Sequence, residues 1–257
     1  MRERPLCCAN PKFPKAGTGA WPAHRQIVEN SAWETAITGY LAAISYTDAQ
    51  LGRILAALER GPNARNTIVV FISDNGYHLG EKDKWAKHSL WQRTTNVPFL
   101  IAGPGIPRGA TATSVASALD IFPTLTGMSG LPRPTQLDGR SLVPFFRNPA
   151  LRDGRQVLIS GNAREFAVVT NRWRYIRYGF GGEELYDVQA DPNEWHNLIK
   201  TRRGRRIATA LTRAIPSNPA PSGKDSQQGE VRLVIQGRDY HWVATQPGEK
   251  LSGSSDD

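Results

Sequence analysis

The chain has 257 residues, 39% hydrophobic and 21% charged, which suits one or two globular domains with an ordinary core. Lys and Arg number 32 against 23 Asp and Glu, so the net charge is +9. No run of 18 apolar residues occurs, which predicts no membrane span, and the two cysteines, Cys7 and Cys8, are neighbours that cannot close a disulfide framework.

Residues 1–30 are predicted to be irregular, broken by Pro5, Pro11, Pro14, Gly17, Gly19 and Pro22. Met1 to Pro14 has no apolar stretch of the secretory kind, so no signal peptide is expected there. Ser31 and Glu34 then have capping-box spacing. Trp33, Ile37, Tyr40, Leu41, Ile44, Leu51, Ile54, Leu55 and Leu58 recur at helical intervals, which predicts a long helix with one buried face. Gly61-Pro62 ends it.

Thr67–Ile72 and Val97–Ala102 are continuous apolar runs, predicted as strands covered on both faces in a parallel sheet. The 24 residues between them, Ser73–Asn96, hold Tyr77, Trp85 and Trp91 and predict an ordered functional loop. Asp120 is predicted to cap a short helix, Ile121–Met128, with Pro123 in its first turn. Residues 31–150 thus read as α/β.

Beyond residue 150 the pattern shortens. Val157–Ser160, Glu165–Thr170, Trp173–Tyr178 and Leu185-Tyr186 read as strands of a small antiparallel sheet, with a hairpin turn at Asn171-Arg172. A helix at about Asn197–Ala214 is expected to pack on it through Leu198, Ile207 and Leu211. Residues 151–214 form the predicted C-terminal subdomain, and 215–257 a mobile tail with one strand or hairpin in Val231–Ala244. Arginines cluster at Arg152–Arg177 and again at Lys200–Arg213. Such faces are most often simply solvated, but they also attract anions.

The candidate chemistry begins at Ser73-Asp74-Asn75-Gly76, directly after a predicted strand. Ligands of open α/β sheets bind outside the carboxyl ends of strands. Asp74 and Asn75 offer a carboxylate and an amide carbonyl, hard oxygen donors of the kind Ca²⁺ or Mg²⁺ takes; the same residues also favour a plain turn. Lys87 follows in Trp85-Ala86-Lys87-His88, where an ammonium can neutralise an anionic group, and His78 and His88 flank it. Asp187–Pro192 lacks the glycine of a calcium loop, and Asp191-Pro192-Asn193-Glu194 reads as a turn.

The stretch SDNGYHLGEKDKWAKHSLWQRTTNVPFLIAGPG, Ser73–Gly105, resembles the sulfatase family, nearest its iduronate-2-sulfatase and choline-sulfatase branch. Tyr40–Leu58, Ala118–Pro134 and ELYDVQADPNEWHNL (Glu184–Leu198) are similar to family segments in the same order, so the resemblance covers about residues 38–214. It implies an alkaline-phosphatase-like α/β core with a mainly parallel sheet, only partly present here, then a small antiparallel α+β subdomain.

It also implies hydrolysis of sulfate esters, sulfated glycans among them, with Ca²⁺ (or Mg²⁺) and a formylglycine nucleophile. Asp74 and Asn75 match metal ligands, Asn75 standing where the iduronate branch has His. Lys87 matches the sulfate-contacting lysine, and His78 and His88 fall in the substrate-facing loop. The Cys-x-Pro-Ser-Arg motif that yields formylglycine is absent, as is the family's N-terminal Asp-Asp metal pair. The expectation is therefore the C-terminal half of a sulfatase, inactive alone, with no catalytic residue of its own. The resemblance implies an exported or lysosomal setting, since relatives are commonly so placed, while the sequence itself leaves the compartment open. Two other readings remain open: a phosphatase or phosphodiesterase of the same superfamily, and a basic binding module without catalysis. No nucleic-acid motif occurs, so no nucleic-acid partner is expected.

Overall fold

The computed structural model describes residues 24–219 apart from 133, 162, 163 and 180, with the backbone of two further strands at 231–236 and 239–244. The cysteine pair, most of the predicted irregular N-terminal segment and most of the predicted mobile tail lie outside the described residues. The chain divides into two compact units.

One unit holds residues 24–40, 78–86 and the C-terminal hairpin. Helix α1 is His24–Glu29. Trp85 Nε1 donates to His24 Nδ1 at 3.2 Å, and the other imidazole nitrogen faces Asp83 Oδ1 at 3.3 Å. Trp33 stands edge-on to both His24 and Trp85. Gly80 sits at φ +105°, and a Cβ there would lie 2.2 Å from the Trp33 ring, so both backbone and space call for glycine. Strands β7 (Val231–Gln236) and β8 (Asp239–Ala244) pair antiparallel, the hairpin that the sequence allowed.

The other unit holds residues 41–77 and 87–219. The division falls inside helix α2, Trp33–Arg60, which runs 28 residues and ends before Gly61 as the periodicity predicts. Its expected buried face is not found: no residue of α2 is buried, and Leu41, Ile44 and Ile54 are 54%, 51% and 65% exposed. Amphipathic spacing marks a face able to pack; whether anything covers it is a tertiary property.

Strands β1 (Val69–Ile72) and β2 (Phe99–Ala102) pair antiparallel, Val69 opposite Ala102 and Ile72 opposite Phe99. This corrects the expected parallel pairing; none occurs among the described residues. A parallel neighbour needs a crossover helix to carry the chain back along the strand. The intervening loop offers only one-turn pieces, including α3 (Gln92–Thr95), so the chain re-enters at the end it left. The strands are half-buried rather than covered on both faces.

Helix α4, Ile121–Met128, has the predicted bounds and Pro123 in its first turn. Asp120 precedes it but does not cap it with its side chain. A 3-10 turn at Ala118–Asp120 intervenes, capped by Ser117. The Asp120 carboxylate is buried and accepts from the Ser117 and Arg140 amides, both at 2.8 Å, and from Arg155 Nη2 at 3.1 Å. Helix α5 is Val143–Arg147.

Strands β3 (Val157–Ser160), β4 (Phe166–Val169), β5 (Trp173–Arg177) and β6 (Glu183–Asp187) form one antiparallel meander. Thr170 N donates to Trp173 O at 2.8 Å, closing the predicted two-residue turn at Asn171-Arg172. Successive residues alternate faces. Phe166, Val168, Tyr175 and Leu185 point to one side, where helix α6 (Arg202–Thr212) packs Ala208 and Leu211 on them. Ala167, Ile176 and Tyr186 point to the other, where they meet Leu90 and Trp91 of the long loop. The C-terminal sheet is thus a platform with a helix on one face and the candidate site loop on the other.

Candidate active site

The turn after β1 is tightly bonded. Ser73 N donates to Pro98 O at 3.3 Å, so pairing runs one residue past the strand. Ser73 Oγ donates to the Asn75 carbonyl at 2.8 Å, and Asn75 Nδ2 to the Gly76 carbonyl at 2.9 Å. Gly76 N donates to Thr94 O at 2.9 Å. A Cβ on Gly76 would lie 2.1 Å from the Arg93 carbonyl oxygen, so only glycine lets the two segments approach this closely.

This leaves Asp74 exposed, its carboxylate making no hydrogen bond or ion pair among the described residues. The Asn75 amide oxygen has no hydrogen-bond partner among the described residues, while its Nδ2 makes the turn contact. Lys87 is half-buried, and its ammonium has no partner among the described residues. His88 is exposed. His78 is fully buried, with its amide donating to Ala86 O at 3.0 Å. It belongs to the first unit, whereas Asp74, Asn75, Lys87 and His88 belong to the second. A ring with no exposure does not meet a substrate from solution, which separates His78 from the other four.

Thr94 is the pivot behind the turn. Its Oγ1 donates to Ser89 O at 2.9 Å and lies 2.6 Å from Ser89 Oγ, while its carbonyl receives Gly76. The C-terminal sheet holds this segment from below. Arg174, on the loop-facing side of β5, donates from Nη1 to Leu90 O at 2.9 Å and to Thr95 Oγ1 at 2.8 Å. Glu194 Oε2 accepts from Gln92 N at 2.9 Å, and its Oε1 pairs with Arg174 Nε. Glu184 Oε2 accepts from Trp91 Nε1 at 2.7 Å and from Tyr186 OH at 2.9 Å. Burial, then the Glu184 charge, drives the Tyr178 and Tyr186 phenols far up, so both remain neutral donors. Burial pulls Arg174 down and Glu194 opposes this.

None of Arg174, Glu184, Glu194 or Trp91 stands out in the sequence as a site residue. The available signal is alternation: on a strand Arg174 shares the face of Ile176, so it is an inward arginine needing a carboxylate.

Asp74 lines an open groove of about 2110 Å³ between β1, β2 and the 103–119 segment; Asn75, Lys87 and His88 are not among its lining residues. Asp74 and Asn75 supply two hard oxygen donors, which fits a divalent cation. Among the described residues no three of His, Cys, Asp and Glu converge, so these two do not complete a coordination shell.

Two family models match: Sulfatase over residues 11–131, and the C-terminal region of N-sulphoglucosamine sulphohydrolase over residues 80–218. A sulfatase of Formosa agariphila is 38% identical over 200 residues, covering 77% of this chain and 39% of the relative. A Delta 4,5-hexuronate-2-O-sulfatase of Bacteroides thetaiotaomicron is 32% identical over 203 residues, covering 72% and 42%. A solved structure described as bound to its substrate D-glucosamine-2-N,6-O-disulfate superposes with a TM-score of 0.62 at 26% identity, covering 68% of this chain and 38% of that one. An open groove beside an oxygen-donor turn at the end of a strand thus sits in an α/β fold shared with sulfatases. The chain belongs to the sulfatase family. It spans about two fifths of the length of these relatives. No described helix is long and apolar enough to cross a membrane.

Proposed function

We propose that this chain carries part of the active site of a sulfuric ester hydrolase. Asp74 and Asn75 act as two oxygen ligands of a divalent cation, Ca²⁺ or Mg²⁺, and Lys87 binds a sulfate oxygen. The observation that carries this reading is the Asp74 carboxylate, exposed and unpaired on a turn that Ser73, the Asn75 amide nitrogen and Gly76 bond back into the fold. A rigid turn that leaves one carboxylate free is a preorganised ligand.

The cation, when bound, supplies Lewis-acid stabilisation of charge on the ester oxygens. This chain's own residues orient and neutralise. The sulfate ester is an anion, and more negative charge gathers on the leaving oxygen as the S–O bond breaks. The Lys87 ammonium, half-shielded from water, stabilises that charge more than it would in bulk solvent. His88 borders the same segment and is open to the alcohol portion of the substrate. The chain has no Cys-x-Pro-Ser-Arg, so the reading assigns it binding and charge stabilisation rather than bond formation, and turnover by the chain alone is not expected. The family resemblance supports an exported or lysosomal setting and a formylglycine nucleophile, for which this sequence carries no Cys-x-Pro-Ser-Arg motif.

The test is a chimera in which this chain replaces the matching part of the Formosa agariphila sulfatase, assayed on a sulfate ester the parent hydrolyses. The chimera is expected to turn over, and Asp74→Ala and Lys87→Ala to lower kcat/KM by roughly 100-fold or more, the scale of losing one electrostatic stabiliser. A folded chimera that hydrolyses phosphate esters in preference would move the reading to the phosphatase branch. Equal turnover with and without Asp74→Ala would end it.

A further inference from the structure

Helix α6 turns one face to the sheet through Gly204, Ala208 and Leu211, with Ile215 just beyond it. The opposite face is almost wholly cationic. Between Lys200 and Arg213 the sequence places Arg202, Arg203, Arg205 and Arg206 and no acidic residue. All six cations are exposed, and none makes an ion pair among the described residues. At helical spacing Arg202, Arg206 and Arg213 share the outward stripe, with Arg205 beside it; 1.5 Å per residue makes the stripe about 16 Å long. Arg203 leans instead over the Trp173 ring at 5.7 Å, and Arg172 lies over the same ring at 5.0 Å. A pocket of about 420 Å³ opens beside the stripe, lined by Lys200, Arg205, Thr209 and Glu183. The Glu183 carboxylate is already engaged, accepting from the Tyr175 hydroxyl.

A solvated helix face normally interleaves both signs, because like charges on neighbouring turns repel. Six uncompensated cations on one short segment are a cost to the free fold that a polyanion would relieve. Five of the six are arginines, whose planar fork binds sulfate-like oxyanions in pairs of hydrogen bonds. A single-stranded nucleic acid would need aromatic faces for stacking, and Trp173 here is half-buried with two guanidiniums over it. We infer that the outward face of α6 is a docking surface for a sulfated polysaccharide, holding a chain whose sulfate esters are processed elsewhere on the molecule. The surface rests on the sulfatase reading for its choice of polyanion, not for its charge.

The experiment measures binding of a size-defined heparin fragment to the full chain across a salt series. The variant Arg202→Glu/Arg205→Glu/Arg206→Glu is compared with a charge-matched control, Arg53→Glu/Arg60→Glu/Arg147→Glu, whose arginines are also exposed and lie outside the candidate groove. Circular dichroism checks that both fold. The α6 variant is expected to lose affinity at least tenfold relative to the control and to flatten the dependence of log K on log salt by roughly two to three, one step per lost contact. Fully desulfated heparin is expected to bind at least tenfold more weakly than heparin. Equal losses in the two variants would reduce the effect to net charge and overturn the proposal. So would equal binding of desulfated heparin, or tighter binding of an oligodeoxynucleotide of matched charge. No ester is cleaved in these measurements, so a failed hydrolase reading leaves their outcome legible on its own.

Discussion

Arg174 Nε and Glu194 Oε1 lie 2.8 Å apart with both side chains buried. This pair joins the C-terminal sheet to the segment that carries the candidate site. Arg174 also holds Leu90 O and Thr95 Oγ1, Glu194 holds Gln92 N, and Thr94 between them receives the amide of Gly76. Glu194 takes φ +57°, a strained value for a residue with a side chain, which the surrounding contacts hold in place.

Removing one partner of that pair strands a buried charge. Glu194→Leu is expected to cost about 3–5 kcal/mol, whereas replacing both partners with apolar residues of similar volume is expected to cost clearly less. Urea unfolding midpoints of the two singles and the double variant measure this. A double variant as unstable as the sum of the singles would show that the charges act independently and that the clamp is not electrostatic.

Gly76 and Gly105 make a paired test of the turn. Gly105 has φ +75° and open space within 4 Å of where a methyl would stand, so Gly105→Ala meets only the left-handed backbone penalty of about 1–2 kcal/mol. Gly76→Ala must drive its methyl into the Arg93 carbonyl, a rigid backbone group, and is expected to cost about 3 kcal/mol, the upper end of the overpacking scale. Limited proteolysis is expected to cut Gly76→Ala within residues 73–96 and to leave Gly105→Ala intact there. Protection of both would mean the turn is not pinned by Thr94.

Much of this arrangement is legible in the chain's residue pattern. Helix α2 and helix α4 announce themselves by period and by Gly61 and Pro123, and the C-terminal strands as short β-prone runs with the Asn171-Arg172 turn between two of them. The pairing of β1 with β2 is not, because a run such as Val69–Ile72 is apolar at every position and carries no signal of direction or partner. The clamp escapes for a different reason. An arginine in a strand looks like surface charge until its partner, twenty residues away in a turn, is known to be buried with it. Asp120 shows the same limit: its position before α4 predicts a cap, while its carboxylate serves Arg155 and the Ser117 and Arg140 amides.

Asp187 gives the fold a pH dependence. Burial pushes its carboxyl up, but the Arg172 hydrogen bonds at 2.8 and 2.9 Å, with the Ala190 amide and the Arg172 charge, outweigh this and hold it below the usual carboxylate range. A folded-state value below the unfolded one adds stability that is complete above the unfolded carboxylate range, near pH 4, and is lost as pH falls through the folded value. Arg172 is half-exposed, so the contribution is expected to be only about 0.5–1 kcal/mol. Asp187→Asn is expected to lower stability at pH 7 by that amount and to leave it unchanged near pH 2. An equal loss at both pH values would assign the effect to packing.

The outward face of α2 makes the opposite prediction to the clamp. Leu41, Ile44 and Ile54 are more than half exposed, so they contribute little to the stability of this chain. Leu41→Lys with Ile44→Lys is expected to shift the unfolding free energy by no more than about 0.5 kcal/mol, as surface changes generally do. The same two changes are expected to reduce self-association, because neighbouring apolar side chains on one exposed stripe are a ready interface. Sedimentation velocity over a concentration series separates the two effects. A large stability loss without any change in association would place these side chains in a packed environment, and the apolar stripe of α2 would then be core rather than an uncovered face.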